Sequence, residues 1–200
     1  MFKYGMIGAL SLLLAGTTFN SKSQSFELSK ESASITISGT STLHDWKMYL
    51  ETFDCNTNFI LKGSILKGID RVTFNCKVTD LKSDNSLMDK KAYTALKSRT
   101  FPEIKFNMIS PMEISSDNNK FRNNLKGILF IAGESNAVSI PLNGTLYNKN
   151  ETNIIDVRGE TELKMSDFDI SPPAFMMGAL KTGDRITVSF VLQFLQKSGQ

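Results

Sequence analysis

The stretch Asp89 to Phe106, D-K-K-A-Y-T-A-L-K-S-R-T-F-P-E-I-K-F, decides the fold. Met88, Ala92 and Leu96 recur at i, i+4 and i+8, one apolar stripe of a short helix. Ser86 is the expected cap, with Asp89 three residues on, and the helix is expected to run from Ser86 to Lys97. Phe101-Pro102 ends it, because the residue before proline is pushed into extended geometry. Ile104, Phe106 and Met108 then alternate with Lys105 and Asn107, as a half-buried strand requires. Outside this helix the chain reads as strands.

Working outward, the same alternation recurs. Ile35 and Ile37 share one parity, as do Trp46, Met48 and Leu50. Phe53, Cys55, Phe59 and Leu61 form another apolar face, and Val72, Phe74, Cys76 and Val78 a third. Later runs are Leu125 to Ile131, Val138 to Leu146, Ile155 to Met165 and Ile186 to Phe194. Asp117-Asn118-Asn119 and Asn148-Lys149-Asn150 read as hairpin tips. Ser171-Pro172-Pro173 opens an irregular stretch with room for one helical turn between Ala174 and Leu180. About eight one-sided strands and one helix describe an antiparallel barrel wide enough for a small ligand, with the helix over one end.

Three segments together resemble the YceI-like family, lipocalin-like lipid-binding proteins of the bacterial periplasm. The first is the helix-to-strand segment above. The second is Gly127 to Ile140, G-I-L-F-I-A-G-E-S-N-A-V-S-I, similar to the family's Gly-x-Leu-Thr-Ile-x-Gly-x-Thr-x-x-Val hairpin. Here Phe130 replaces the usual Thr, and Asn136-Ala137 a basic-proline pair. The third is Ser38 to Trp46, S-G-T-S-T-L-H-D-W, aligned with an early strand that carries a histidine. The resemblance covers roughly residues 26 to 195.

The 200 residues suit one domain, with residues 1–23 read as a signal peptide and 24–200 as the barrel. Lys3 precedes an apolar run from Ile7 to Ala15, too short to span a bilayer. Ser21 and Ser23 place small residues for cleavage before Gln24; cleavage after Thr17 and an uncleaved anchor are the rivals. No cysteine precedes Cys55, so a lipobox is excluded. The expected product is periplasmic or secreted, without stable membrane insertion once the signal is gone. Of 23 basic residues, Lys3 and Lys22 leave with the leader, so 21 face 20 acidic ones. That balance carries no nucleic-acid footprint.

Catalysis has little to work with. The single histidine, His44, excludes a zinc site built mainly on histidine, and no cofactor or catalytic residue is expected. His44 and Asp45 are neighbours, which on a strand point to opposite faces. His44 shares its parity with Trp46, so it is a hydrogen-bonded core histidine or a contact to a ligand head group. Cys55 and Cys76 flank Gly63 to Gly68, and a hairpin centred between Ile65 and Leu66 sets them opposite each other. Export and an even cysteine count favour a disulfide over two buried thiols.

Fourteen Phe and nine Met are many beside one Trp. A solid core explains such inward residues as well as a pocket does. The resemblance favours the pocket, since it implies an apolar tunnel that encloses an isoprenoid or acyl-chain lipid. Its expected lining is Trp46, Phe59, Phe74, Phe106, Leu129, Val138, Ile140 and Phe190, with His44 at the head group. The rivals are a solid-cored interaction barrel without ligand and an enzyme acting on a lipid or quinone.

Overall fold

A computed structural model describes residues 23–175 and 180–197. Eight antiparallel strands close into a barrel. Three staves are each interrupted once. β1 (Ser23–Leu28) and β2 (Ser34–Ser41) form the first, broken by a 3-10 turn at Lys30–Ser32. β3 (Trp46–Leu50) and β4 (Asp54–Lys62) form the second. β5 (Ile65–Lys77) and β6 (Leu81–Lys82) form the third, around a 3-10 turn at Val78–Asp80. β7 (Glu103–Met108) follows, then the short β8 (Met112–Glu113), which pairs with β5. β9 (Lys120–Ile131), β10 (Glu134–Lys149) and β11 (Thr152–Lys164) are long hairpin arms. β12 (Ala174–Phe175) pairs with β13 (Leu180–Gln196). β13 returns to the first stave, with Phe190 opposite Ile35 and Gln196 opposite Phe26. Closure removes the unpaired edges that an open sheet exposes.

The alternation read from the sequence is the one observed. Along β4 the odd residues from Cys55 to Leu61 are buried and their neighbours are more exposed. The turns differ in detail. Asn118 and Asn119 lie at φ +47° and +61°, the left-handed pair that a tight hairpin turn needs. The next tip falls at Asn150 and Glu151 rather than around Lys149. A 3-10 turn lies at Met165–Phe168; of the stretch expected to hold a helical turn, Ala174–Phe175 is strand and residues 176–179 lie outside the described residues.

The cysteine pairing is corrected. The β4–β5 turn lies at Gly63-Ser64, where Lys62 faces Ile65. Two bulges, between Asn58 and Phe59 and between Ile60 and Leu61, then slide the register until Cys55 faces Phe74. Cys76 faces Ile104 on its other side. The two cysteines are diagonal neighbours, a relation of about 7–8 Å. A disulfide needs Cα atoms about 4.4–6.8 Å apart. Both thiols are free and buried.

The helix α1 (Ser86–Ala95) lies where the apolar stripe put it, with a different cap. Asn85, not Ser86, is extended, and its Oδ1 accepts from the amides of Leu87 (2.9 Å) and Met88 (3.2 Å). Asp89 reaches back to the loop instead, accepting from Ser83 N (2.8 Å) and Oγ (2.7 Å). At the other end Lys97 is left-handed at φ +53°. The amides of Ser98 and Lys97 donate to the carbonyls of Tyr93 and Thr94, a Schellman closure. Lys97 Nζ then meets Asp169 at 3.0 Å, tying the helix end to the 165–168 turn. Met88, Ala92 and Leu96 pack against the barrel core. Among the described residues no helix is long and apolar enough to cross a membrane.

Candidate functional site

The barrel is solid at one end and hollow at the other. Towards the β4–β5 and β10–β11 turns the inward side chains are buried: Phe26, Leu61, Leu66, Leu146 and Ile155 close this end. Phe59 is 0% exposed, edge-on to Phe26 (5.0 Å) and Phe194 (5.4 Å). Beneath the helix the inward residues are only half-buried, Ile35, Ile37, Val188 and Phe190 among them. They face a cavity of about 540 Å³.

Each expected tunnel residue lies on the wall of this cavity. Phe59 forms part of its floor, with Phe194, Leu142 and Ile69. Phe74, Phe106 and Leu129 follow one another across three paired strands, Phe74 opposite Phe106 and Phe106 opposite Leu129. Val138 and Ile140 line it from β10, Phe190 from β13 and Trp46 near the β2–β3 loop. The rings are accommodated by glycine on the neighbouring strand. A Cβ on Gly39 would lie 2.4 Å from the Trp46 ring, and one on Gly159 2.3 Å from the Phe190 ring. With hydrogen at those positions each ring packs directly over the glycine of the neighbouring strand. Trp46 is held there by a 3.1 Å hydrogen bond from Nε1 to the Thr40 carbonyl.

His44 is not the core residue its parity suggested. It is exposed in the β2–β3 loop, because β3 begins only at Trp46, and its Nδ1 lies 2.8 Å from the Asp45 carbonyl oxygen. It still reaches the lip of the cavity. Cys55 and Cys76 belong to the wall as well. Burial pushes the Cys55 thiol up to about 11, partly offset by the Thr57 hydroxyl. Burial, then the nearby Asp80 charge, pushes Cys76 up to about 12. Thiols so placed stay protonated and are poor nucleophiles. Among the described residues no three His, Cys, Asp or Glu side chains gather as a metal site.

Some lining was not singled out beforehand. Ile35, Ile37 and Met48 carried the period-2 signal but were not separated from ordinary core. Lys91, Lys164 and Lys181 also border the cavity, and no motif marks them.

A closed eight-stranded barrel with a helix across one end and an apolar lumen is a lipocalin-like architecture. The family model of the YceI-like domain matches residues 16–194, and the chain belongs to that family. Similar folds are BcnA of Burkholderia cenocepacia (15% identity, TM-score 0.62, 84% of this chain and 99% of that one). A polyisoprenoid-binding domain from Saccharophagus degradans, implicated in plant cell wall breakdown, matches at 10% identity and TM-score 0.62 over 87% and 99%. A Campylobacter jejuni YceI protein matches at 17% and 0.62 over 96% and 100%. At these identities the likeness is one of fold. No curated protein matches the chain.

Proposed function

We propose that this protein holds or carries a lipid with a long apolar tail, of isoprenoid or acyl type, without chemically altering it. The observation behind this is the half-hollow barrel: a lumen of about 540 Å³ walled by aliphatic and aromatic side chains. That volume is in the range of small-molecule sites, about 300–1,000 Å³. Left unfilled, its apolar walls forfeit the dispersion contacts that a packed core makes. Water entering it would find few polar partners. An apolar tail fills the space and restores the lost contacts. Membership of the YceI-like family, and a similar fold that binds polyisoprenoid, support the same reading.

Organic extraction of protein purified from its native host, followed by mass spectrometry, tests it. Near-stoichiometric lipid is expected. A chain that yields none after gentle purification, and binds no long-chain probe, overturns the reading. Recovery of a chemically converted lipid after incubation would instead show an enzyme.

Export to a periplasm or beyond belongs to the proposal. The signal segment falls almost entirely on residues 1–22, outside the described residues. The intact mass of the mature protein should place its amino terminus near Gln24. A mature chain retaining residues 1 to 16 would remove this part.

A further inference from the structure

Among the described residues two polar or charged side chains are buried, Asp89 and Thr57. Asp89 is satisfied, accepting from Ser83 N (2.8 Å) and Oγ (2.7 Å). Thr57 has no such partners. It is 5% exposed, and among the described residues its hydroxyl meets only the Sγ of Cys55, at 4.0 Å. A thiol is a weak donor and a weak acceptor, so this contact does little for a hydroxyl taken out of water. Thr57 stands between Cys55 and Phe59 on the inward face of β4, and its side chain lines the lumen one inward place above the floor. Val72 faces it from β5, and Leu142, Val157 and Leu192 also belong to the lining. Valine would give the same branched shape and the same strand preference at this place without the hydroxyl. Buried polar groups normally find partners. What the protein does not supply here, the occupant of the lumen can.

We propose that Thr57 is a ligand-binding residue that recognises a neutral oxygen, a hydroxyl or a carbonyl, at the inner end of the tail. The proposal rests on the carrier reading and narrows its ligand class, because such a tail is not plain hydrocarbon to its tip. The oxygen is neutral because Phe59, Val72 and the other apolar neighbours offer nothing to an ion. A threonine hydroxyl both donates and accepts, so it can meet either oxygen. Its effect is one of discrimination. A wholly apolar lumen penalises a tail that brings an oxygen into it, whereas a lumen with a waiting hydroxyl does not.

The test compares dodecanoate, tetradecanoate and hexadecanoate with their ω-hydroxy and (ω−1)-oxo counterparts; the length series lets the oxygen reach the depth of Thr57. Each is titrated into the delipidated mature chain, with fluorescence of Trp46, the chain's single tryptophan, as the signal. At one length an oxygenated tail is expected to bind at least as tightly as the plain one, and whichever oxygen leads tells alcohol from ketone. Thr57→Val should weaken that ligand about tenfold, leave the plain acid within about twofold, and hold or raise the ligand-free Tm. Thr57→Ser should keep the preference. Oxygenated tails weaker than plain ones at every length, or a preference that survives in Thr57→Val, overturn the site and leave the carrier intact. A clear fall of Tm in Thr57→Val, or its failure to fold, would mean that the hydroxyl is satisfied within the protein and overturns the site as well. Binding of none of these acids by the wild type overturns the carrier reading, and the site with it.

Discussion

Replacing phenylalanine by alanine at the two ends of the barrel tests directly whether one end is hollow. Phe59 has no exposed surface and edge contacts to Phe26 and Phe194. Each such ring pair is worth about 0.5–1.5 kcal/mol beyond the area it buries. Truncation also leaves a void that close-packed neighbours cannot collapse into. Phe59→Ala should therefore cost about 3–5 kcal/mol. Phe190 is half-buried and faces the open lumen. Removing its ring widens a space that already exists, so Phe190→Ala should cost about 1 kcal/mol, an ordinary substitution. For a chain of this size 1 kcal/mol moves Tm by about 2–4 °C. In thermal unfolding of delipidated protein, Phe59→Ala should lose about 6–20 °C and Phe190→Ala about 2–4 °C. Binding should change in the opposite sense. Opening the floor lengthens the lumen, so Phe59→Ala should shift preference towards longer tails, and a tail reaching the void should restore stability by linkage. Equal losses of Tm at the two positions would refute the division into a hollow and a solid end.

Two more outcomes follow from the wall. Val138→Trp adds a ring where Val138 borders the lumen; lipid binding should fall sharply while the ligand-free Tm holds, whereas a loss of about 1–3 kcal/mol would mean the lumen is packed. Cys55 and Cys76 ionise near 9.0 when unperturbed but at about 11 and about 12 in the folded barrel. Above pH 9 the native state therefore keeps protons that the unfolded chain has released, and stability falls as pH rises. The loss should reach about 1–2 kcal/mol per thiol by pH 10, and none of it should be present at pH 7. Urea unfolding across this range should show a shallower alkaline decline in Cys55→Ala/Cys76→Ala; an unchanged slope would sink the argument. Native thiols should resist alkylation that goes to completion in urea.

Much of the barrel was legible in the residues themselves. A strand alternates with period 2 whatever it pairs with, so Cys55 to Leu61, Val138 to Leu146 and Ile186 to Phe194 named their inward faces unaided. The 88/92/96 stripe placed the helix for an equally local reason, but its end is set by the left-handed Lys97, ahead of Phe101-Pro102. All the expected tunnel residues share the cavity because they share that parity. What parity cannot convey is who faces whom. The β4–β5 turn falls at Gly63-Ser64 rather than between Ile65 and Leu66, and the two bulges recover only half of that shift, so both apolar faces survive and Cys55 faces Phe74 instead of Cys76. Likewise Asn85 rather than Ser86 caps the helix, because the cap belongs to the residue whose backbone is still extended. His44 reads as inward by parity but lies in a loop, since β3 starts two residues later. The division of the barrel is tertiary in the same sense. Phe59 and Phe190 are the same residue on the same kind of face. One meets two other rings and forms a floor, while the other packs over Gly159 and borders the open lumen. Whether apolar faces meet or stand apart depends on what crosses the barrel axis, and no local pattern along the chain records that distance.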